Sequence, residues 1–302
     1  MTRSGVAKRK GSPKRKREKG DERGSRGRGR RGPAARNLAE RADPLGLYVR
    51  AVQAPEVDAE FLEAVYGGLF GRKPRRLRED FCGSAALCAA WVARGPKREA
   101  WGVDLHAPTL AWGQRAHLEP LAPRVARRVT LLEGDVRTTD TPPVDVLCAQ
   151  NFSYFTFKER ETLKAYFRSS KDALGARGVF VVDVFGGYES IEDERADVTD
   201  HGDFHYVWEQ HRFDPINGYG IYKIHFRFPD GSAIEDAFVY DWRMWTLPEV
   251  QDLMTEVGFD EVVVYWEEED PDTGEGTGVF SPRASANCDP AWNAYVVGVK
   301  RG

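Results

Sequence analysis

The sequence contains few cysteines and no long apolar run. The cysteines, Cys82, Cys88, Cys148 and Cys288, form no C-x-x-C pair, so we expect reduced thiols in a cytoplasmic protein. No apolar stretch approaches the roughly 20 residues that span a bilayer, and the first residues lack the apolar segment of a secretion signal. The histidines show no metal-ligand spacing, and no nucleophile elbow is present. These absences predict a soluble protein without a membrane span or a metal site.

Charge is distributed unevenly along the chain. Residues 1–36 carry 15 Lys and Arg against three acidic residues, whereas the net charge of all 302 residues is -3. Residues 1–40 also have almost no large apolar side chains, so we predict a disordered basic tail. Its composition fits an RNA-binding segment or, in a eukaryotic host, a nuclear address. A solvated tail without a dedicated partner is the simpler interpretation.

The rest of the chain, residues 41–302, reads as one α/β domain. Helical and strand periods alternate from about residue 55, which predicts a doubly wound, mostly parallel sheet of seven strands. After Gly187 the pattern changes to aromatic, alternating segments separated by turns, which predicts an antiparallel β insertion over 187–245, after the fifth strand. Thr246 and Glu249 then form a capping box at the start of a helix.

Polar residues follow four of the predicted strands at the edge where a doubly wound sheet binds its ligand. The first turn runs from Glu79 through Gly83 into a helix, and the second strand ends in Asp104, 21 residues after Gly83. That spacing suits an acid that accepts hydrogen bonds from ribose hydroxyls. The third strand ends at Asp135, and the fourth runs into the polar and aromatic segment 150–154.

The first turn does not suit a dinucleotide. A nicotinamide or flavin enzyme uses three glycines to bring backbone amides against a pyrophosphate, whereas Gly83 is the single glycine here. Glu79 just before the turn repels a pyrophosphate and attracts an ammonium group. A ribose, an adenine and a cationic amino-acid end together describe S-adenosylmethionine.

Each of these acids also has a purely structural interpretation. Glu79 and Asp104 are suitable helix caps, and Asp135 is a common turn residue. It is their ordered occurrence at successive strand ends that favours the cofactor interpretation.

Residues 45–300 resemble the class I, Rossmann-like S-adenosylmethionine-dependent methyltransferases. In that family the first turn reads acidic-x-Gly-x-Gly-x-Gly, which this chain matches at Glu79 and Gly83 but not at Phe81 and Ala85. The stretches "LREDFCG", "YDWRMWTLPE" and "DPAWNAYVVGVK" are similar to a bacterial and plant-type branch of the family, which indicates no substrate.

The resemblance implies roles for individual residues. Asp104 corresponds to the ribose acid, Asp135 to the adenine-side acid, and Leu105 and Val136 to the walls around the base. The segment "LCAQNFSYF" is similar to one that borders the transferred methyl in small-molecule N-methyltransferases, which implies catalytic roles for Asn151 and Tyr154. The implied cofactor contacts are Glu79, Phe81, Cys82, Gly83, Asp104, Leu105, Asp135, Val136 and Asn151.

Aromatic side chains of the insertion predict the acceptor. A cationic or amine acceptor suits aromatic rings that lie among acids: Trp242, Trp245, Tyr265, Trp266 and Trp292 among Glu267, Glu268, Glu269 and Asp270. We therefore expect a nitrogen of a small molecule or a peptide to be methylated under the insertion, with Tyr154, Trp242 and Trp245 as substrate contacts. Tyr154 or a nearby carboxylate then takes the proton. An aromatic strand face is more often part of a core. Two other functions stay open: an RNA methyltransferase guided by the tail, and a methyltransferase-fold binding protein without catalysis.

Overall fold

The computed structural model describes residues 36–270, 272 and 276–302. The predicted basic tail lies outside the described residues as far as residue 35. Its last residues are helical, because Leu38–Arg41 form a single turn, α1, whose N-cap is the side chain of Asn37. The predicted boundary at residue 40 therefore lies too far along the chain.

The described residues form helices and strands in the alternation that the sequence predicts. The strands are β1 Arg76–Asp80, β2 Glu99–Asp104, β3 Val129–Glu133, β4 Val144–Ala149, β5 Leu174–Gly186, β6 Arg195–Asp200, β7 His205–Asp214, β8 Tyr219–Arg227, β9 Ala233–Arg243, β10 Glu261–Glu269, β11 Gly276–Pro282 and β12 Trp292–Lys300. The other helices are α2 Pro44–Val52, α3 Pro55–Phe70, α4 Ala86–Ala93, α5 Ala107–Gly113, α6 Pro123–Ala126, α7 Arg160–Ala173 and α8 Leu247–Glu256, with short helical turns at Gln114–Leu118, Ser153–Thr156 and Tyr188–Ile191. The predicted capping box opens α8, with Thr246 and Glu249 bonded in both directions.

The main sheet has the order β11-β10-β12-β5-β4-β1-β2-β3. Strands β1 to β5 pair in parallel, and β12, β10 and β11 continue the sheet in antiparallel fashion. The predicted doubly wound sheet is confirmed, and β11 adds an eighth strand at its edge. The sequence did not indicate β11 because its glycine-rich segment shows no apolar alternation.

The strand order reverses between β1 and β4. Strand β1 pairs with β2 on one side and with β4 on the other, so the connections leave this pair in opposite directions. The crevice beyond the carboxyl ends of two such strands is where open α/β sheets bind ligands. We call this edge the switch point.

The predicted insertion is a separate sheet of four antiparallel strands, in the order β6-β7-β8-β9, between β5 and α8. One of its faces carries large aromatic rings, among them Trp208, Tyr222, Tyr240 and Trp242. These rings pack against residues of the main domain core, so the insertion is anchored by aromatic burial.

Hydrophobic cores lie on both faces of the main sheet because side chains alternate along its strands. On β5, Val182 belongs to the core shared with Phe167 of α7, whereas Val181 belongs to the core shared with Trp91 of α4. No described helix is both long enough and apolar enough to cross a bilayer.

A buried ion pair fixes β1 to the segment after β3. Arg78 donates to the Asp80 carboxylate at 2.7 Å and to the carbonyl oxygens of Val136 at 2.7 Å and Thr139 at 2.8 Å. Asp80 also accepts the Tyr166 hydroxyl at 3.0 Å. Because buried charges require partners, these bonds hold the first and third strand ends in fixed register.

Candidate functional site

The turn after β1 adopts a backbone normally reserved for glycine. Phe81 has a φ of 55°, Gly83 of 51° and Ala85 of 56°, all in the left-handed region. Phe81 and Ala85 are the positions where the resemblance leads us to expect glycine. A left-handed conformation costs a residue with a side chain about 1 kcal/mol. The turn therefore keeps the path of a glycine-rich loop at the expense of backbone strain.

The side chains of this turn point into the protein. The ring of Phe81 packs against Phe157 and Tyr166, with centroids 5.7 and 5.8 Å away. Cys82 is buried against Gly102, where an added Cβ would approach its sulfur to 2.8 Å. The Cys82 side chain therefore does not reach the crevice, and a cofactor contact of this residue, which stays a prediction, would use its backbone.

Asp104 connects the first two strand ends. Its Oδ2 accepts the Gly83 N–H at 2.8 Å, and its Oδ1 accepts the His106 N–H at 2.8 Å. The structure thus places the predicted ribose acid beside the predicted cofactor turn. Leu105, the predicted wall for the base, is 69% exposed at the same edge.

Glu79 is buried beneath the turn. Its Oε2 accepts the Cys88 backbone N–H at 3.2 Å and the Cys88 thiol at 3.1 Å, so it does cap α4. Burial raises the pKa of Glu79 to about 8, against the effect of the Cys88 bonds, and Asp58 and Asp104 add to the rise. The structural and functional interpretations of Glu79 are therefore compatible.

Asp135 and Val136 follow β3, as predicted. The Asp135 carboxylate binds the Arg137 guanidinium through both oxygens, and this bond lowers the pKa of Asp135 below its usual value. Val136 is buried, with its carbonyl held by Arg78. Arg137 thus occupies part of the carboxylate that the resemblance assigns to adenine.

The loop after β4 is a second strained turn. Asn151 and Phe152 both have a φ of 56°. Their backbone N–H groups donate to the Asp183 carboxylate, at 2.7 Å and 2.9 Å. Asp183 was not predicted as a site residue, although an acid near the carboxyl end of a buried strand is a signal in the sequence.

Tyr154 and Trp245 do not reach the crevice. Tyr154 is completely buried and donates its hydroxyl to the Asp183 carbonyl at 3.0 Å. Burial raises the pKa of Tyr154 well above its usual value, so it holds its proton. Trp245 is also completely buried and donates its indole N–H to the Phe157 carbonyl at 3.0 Å. Tyr154 is thus enclosed by the core, whereas Trp245 still lines a cavity beside the end of β5. The acceptor contacts of both side chains, and proton transfer to Tyr154, stay predictions.

Trp242 is a core residue as well. It is 5% exposed and stacks on Tyr240, with ring centroids 4.4 Å apart. Phe152 and Phe155 lie on its other sides. The aromatic face of the insertion thus packs on the loop after β4, and the substrate contact of Trp242 stays a prediction.

Three carboxylates converge on the switch point. Burial raises the pKa of Asp58, on α3, to about 6 and that of Asp183 to about 7. Asp58 lies close enough to raise the pKa of both Asp183 and Glu79. We call Asp58, Glu79 and Asp183 the acidic trio. Buried like charges of this kind favour a bound cation.

The segment α1 to α3 lies across the switch point. Ser84 of the first turn donates to Gln53 at 3.4 Å, and Trp112 of α5 donates to Asp43 at 2.7 Å. The Tyr48 ring of α2 lies against Phe238 of the insertion, with ring centroids 4.9 Å apart. The helices before β1 therefore form part of the site, which sequence reasoning missed because Asp58 looks like an ordinary acid in a first helical turn.

No protein-family profile matches the sequence, and no curated protein matches it either. Solved structures match over most of the chain. An S-adenosylmethionine-dependent methyltransferase from Clostridium acetobutylicum is 16% identical, with a TM-score of 0.59, and the match covers 85% of this chain and 97% of that one.

Two sugar-modifying enzymes are also similar in structure. An amino pentose methyltransferase from Micromonospora echinaspora, solved with S-adenosylmethionine bound, is 16% identical with a TM-score of 0.60; coverage is 88% of this chain and 99% of that one. A sugar N-methyltransferase from Streptoalloteichus is 18% identical with a TM-score of 0.57, and coverage is 92% and 100%. This chain therefore has the fold of the class I S-adenosylmethionine-dependent methyltransferases.

Proposed function

We propose that this protein is an enzyme that binds S-adenosylmethionine and transfers its methyl group to a nitrogen of a small molecule. The observation that carries the proposal is the acidic trio, Asp58, Glu79 and Asp183, at the switch point of a methyltransferase fold. Among the described residues none of the three pairs with a basic side chain. A ligand with an ammonium and a sulfonium supplies the missing positive charge.

The residues present fit the other parts of this cofactor. The left-handed turn at Gly83 leaves its backbone open, since an added Cβ would meet only the Thr109 methyl at 3.9 Å. Each Asp104 oxygen accepts one backbone N–H and has a second lone pair for a ribose hydroxyl. Leu105 is exposed where a base would stack. Asp135 is placed to accept the adenine amino group once Arg137 yields one oxygen.

Bound S-adenosylmethionine supplies a methyl on a sulfonium: the acceptor nitrogen lone pair forms the N–C bond while the C–S electron pair stays on sulfur. The protein must align the nitrogen and exclude water. An amine that binds as an ammonium ion has no lone pair, so it first gives one proton to a base, and the methylated nitrogen is again a cation. We assign that proton to Asp183, whose pKa of about 7 suits exchange near neutral pH.

The preference for nitrogen rests on charge. An amine acceptor and its methylated product are cations, which the acidic surroundings of Asp183 stabilise. Similar structures act on sugar amines by their names, and another is a glycopeptide N-methyltransferase 16% identical to this chain. These names agree with the proposal, but its main support is the negative charge around Asp183. An amino nitrogen of a peptide, at its N-terminus or on a lysine, has the same chemistry and is a second acceptor to include in the assay.

Calorimetry with S-adenosylmethionine tests the first half of the proposal. We expect micromolar binding by the full chain, and loss of binding in Glu79→Lys, which places a cation where an ammonium should lie. Asp252→Lys on the exposed face of α8 is the matched control. Absence of binding by the unmodified protein at high micromolar cofactor refutes the proposal.

Methyl transfer itself needs a separate assay. Incubation with methyl-labelled cofactor and fractionated metabolites, followed by mass analysis, should give a product with the label on nitrogen. Labelled RNA instead, lost when residues 1–36 are removed, would favour the tail-guided RNA methyltransferase. Cofactor binding without any labelled product would favour a binding protein that lacks catalysis.

A further inference from the structure

A cavity of about 330 Å³ opens beside the loop after β4. Phe152, whose backbone N–H donates to Asp183, forms one wall, and Phe185 and Gly186 at the end of β5 form another. Trp208 of the insertion and Trp292 of β12 complete the walls. The cavity therefore lies between the main sheet and the insertion, and Phe152 connects it to Asp183 of the acidic trio.

Gln210 lines this cavity and has a buried carbonyl oxygen without a hydrogen-bond partner among the described residues. The side chain is 6% exposed, and its Nε2 donates to the Glu189 carbonyl oxygen at 3.0 Å, which fixes the orientation of the amide. Its Oε1 is buried and has no hydrogen-bond partner among the residues that the structure describes. An unpaired buried acceptor destabilises the protein, so a ligand that donates an N–H is favoured there.

The charge and the rings of the cavity favour a cation. Three acidic side chains, Glu189, Asp197 and Glu267, line it together with Arg195. Arg195 pairs with Glu189 at 2.7 Å and with Asp197 at 3.2 Å, which leaves a net negative wall. An ammonium group also binds favourably over indole rings such as those of Trp208 and Trp292.

A second cavity, of about 480 Å³, continues from the first. Phe185, Gly186, Ser190 and Trp292 line both of them. Ile191, Phe213, Ile216 and Met244, which line the second cavity but not the first, give it an apolar wall. A ligand that fills both cavities is polar and cationic at one end and apolar at the other.

We propose that these two cavities are the acceptor site, and that the methyl acceptor is a small amine with an apolar substituent. Its N–H donates to Gln210 Oε1, its cationic form lies between Trp208 and Trp292, and its apolar group occupies the second cavity. This assignment rests on the proposed methyltransferase function, because it names the substrate class of that activity. It makes Gln210 a specificity-determining residue.

Binding of simple probes tests the assignment. Benzylamine is titrated calorimetrically into the full-length protein, with and without S-adenosylhomocysteine. We expect benzylamine to bind at least about tenfold more tightly than benzyl alcohol, which lacks the charge, and than methylamine, which lacks the apolar group. Gln210→Leu should weaken benzylamine binding about tenfold, because one charge-assisted hydrogen bond is lost.

Controls separate the acceptor site from the cofactor site. Gln251→Leu on α8 makes the same substitution outside both cavities and should leave benzylamine binding unchanged. Trp292→Leu is a second cavity variant and should weaken benzylamine several-fold. Both cavity variants should bind S-adenosylmethionine as the unmodified protein does, which also shows that they fold.

The outcomes distinguish the two proposals. Equal benzylamine affinity in the unmodified protein, Gln210→Leu and Trp292→Leu, or no benzylamine binding at all, overturns the acceptor site and leaves the cofactor proposal intact. Failure of the unmodified protein to bind S-adenosylmethionine refutes the proposed function instead.

Discussion

Acidic side chains at the two ends of the parallel strands have pKa values shifted in opposite directions. At the amino end, Glu63 lies 2.6 Å from Arg98 and 3.1 Å from Arg94. Burial raises its pKa, but the arginines and Lys73 outweigh that effect, so the pKa of Glu63 lies below its usual value. At the carboxyl end, burial raises the pKa of Glu79 to about 8.

This difference separates acids that stabilise the fold from acids prepared for a ligand. A paired carboxylate is already satisfied by the protein, whereas an unpaired one makes the protein less stable until a cation or a proton arrives. Asp145 illustrates the first type, since it accepts the backbone N–H groups of Arg75 and Arg76 and binds Arg72. Asp183 is an acid of the second type, because among the described residues no basic side chain pairs with its carboxylate.

Neutralising one acid at each end of the parallel strands should give the largest difference in the free energy of unfolding. Glu63→Gln should lower the free energy of unfolding by about 3 kcal/mol, because the Arg98 side chain is 6% exposed and loses its anion. Glu79→Gln should lower it by less than about 1 kcal/mol, because Glu79 is mostly protonated near neutral pH. Urea unfolding at one pH measures both. Equal losses of unfolding free energy in the two variants would contradict the distinction between paired and unpaired acids.

Removing the predicted ribose acid should act on binding more than on folding. Asp104→Ala should weaken S-adenosylmethionine about 100-fold, which corresponds to the loss of charge-assisted bonds to the ribose. Urea unfolding should stay cooperative, since Gly83 and His106 lose one bond each. Asp252→Ala is the control with the same substitution at an exposed position. An unchanged dissociation constant for Asp104→Ala would contradict the ribose assignment.

The pH dependence of binding sharpens the comparison further. A bound cation favours ionised Glu79 and Asp183, so affinity for S-adenosylmethionine should rise roughly tenfold between about pH 6 and pH 8, with release of protons. Calorimetry in buffers of different ionisation enthalpy measures the affinity and the number of protons released on binding. Glu79→Gln should flatten the profile, and a profile that stays steep in this variant would exclude Glu79 as its cause.

The same groups affect the stability of the ligand-free protein with the opposite sign. Their pKa values are higher in the folded than in the unfolded state, so their contribution to stability is complete below about pH 4 and is lost as pH rises through about 7 and 8. S-adenosylmethionine should restore the lost stability, which thermal unfolding with and without cofactor can show.

The smallest expected effect concerns the strained turn. Ala85→Gly should change the free energy of unfolding by less than about 0.5 kcal/mol, because relief of the left-handed φ offsets the greater entropy of glycine. Ala89→Gly, inside α4, should destabilise by about 1 kcal/mol. Equal losses in the two variants, measured by urea unfolding, would contradict the strain at Ala85.

The fold and the cofactor edge were predictable from the sequence because both follow from order along the chain. Alternating periods indicate the parallel sheet, and its strand ends then fall at Glu79, Asp104 and Asp135. Topology converts those positions into one edge without further information.

The acceptor side was not predictable in the same way. Alternation shows that Trp242 shares a face with Tyr240, but it cannot tell whether that face meets a cavity or a core. Asp58 and Gln210 matter only because distant segments bring them beside β5 and β12. Their contacts depend on tertiary packing, which no local pattern records.

The helices that lie across the switch point also bear on kinetics. We expect ligand entry and release to depend on opening of the contacts of Gln53 with Ser84 and of Asp43 with Trp112, which hold this segment against the first turn and α5. Association should then be slower than an encounter driven by charge alone. The residence time of a bound cofactor would then be set by the opening of this helical segment, so turnover and helix motion would share one rate.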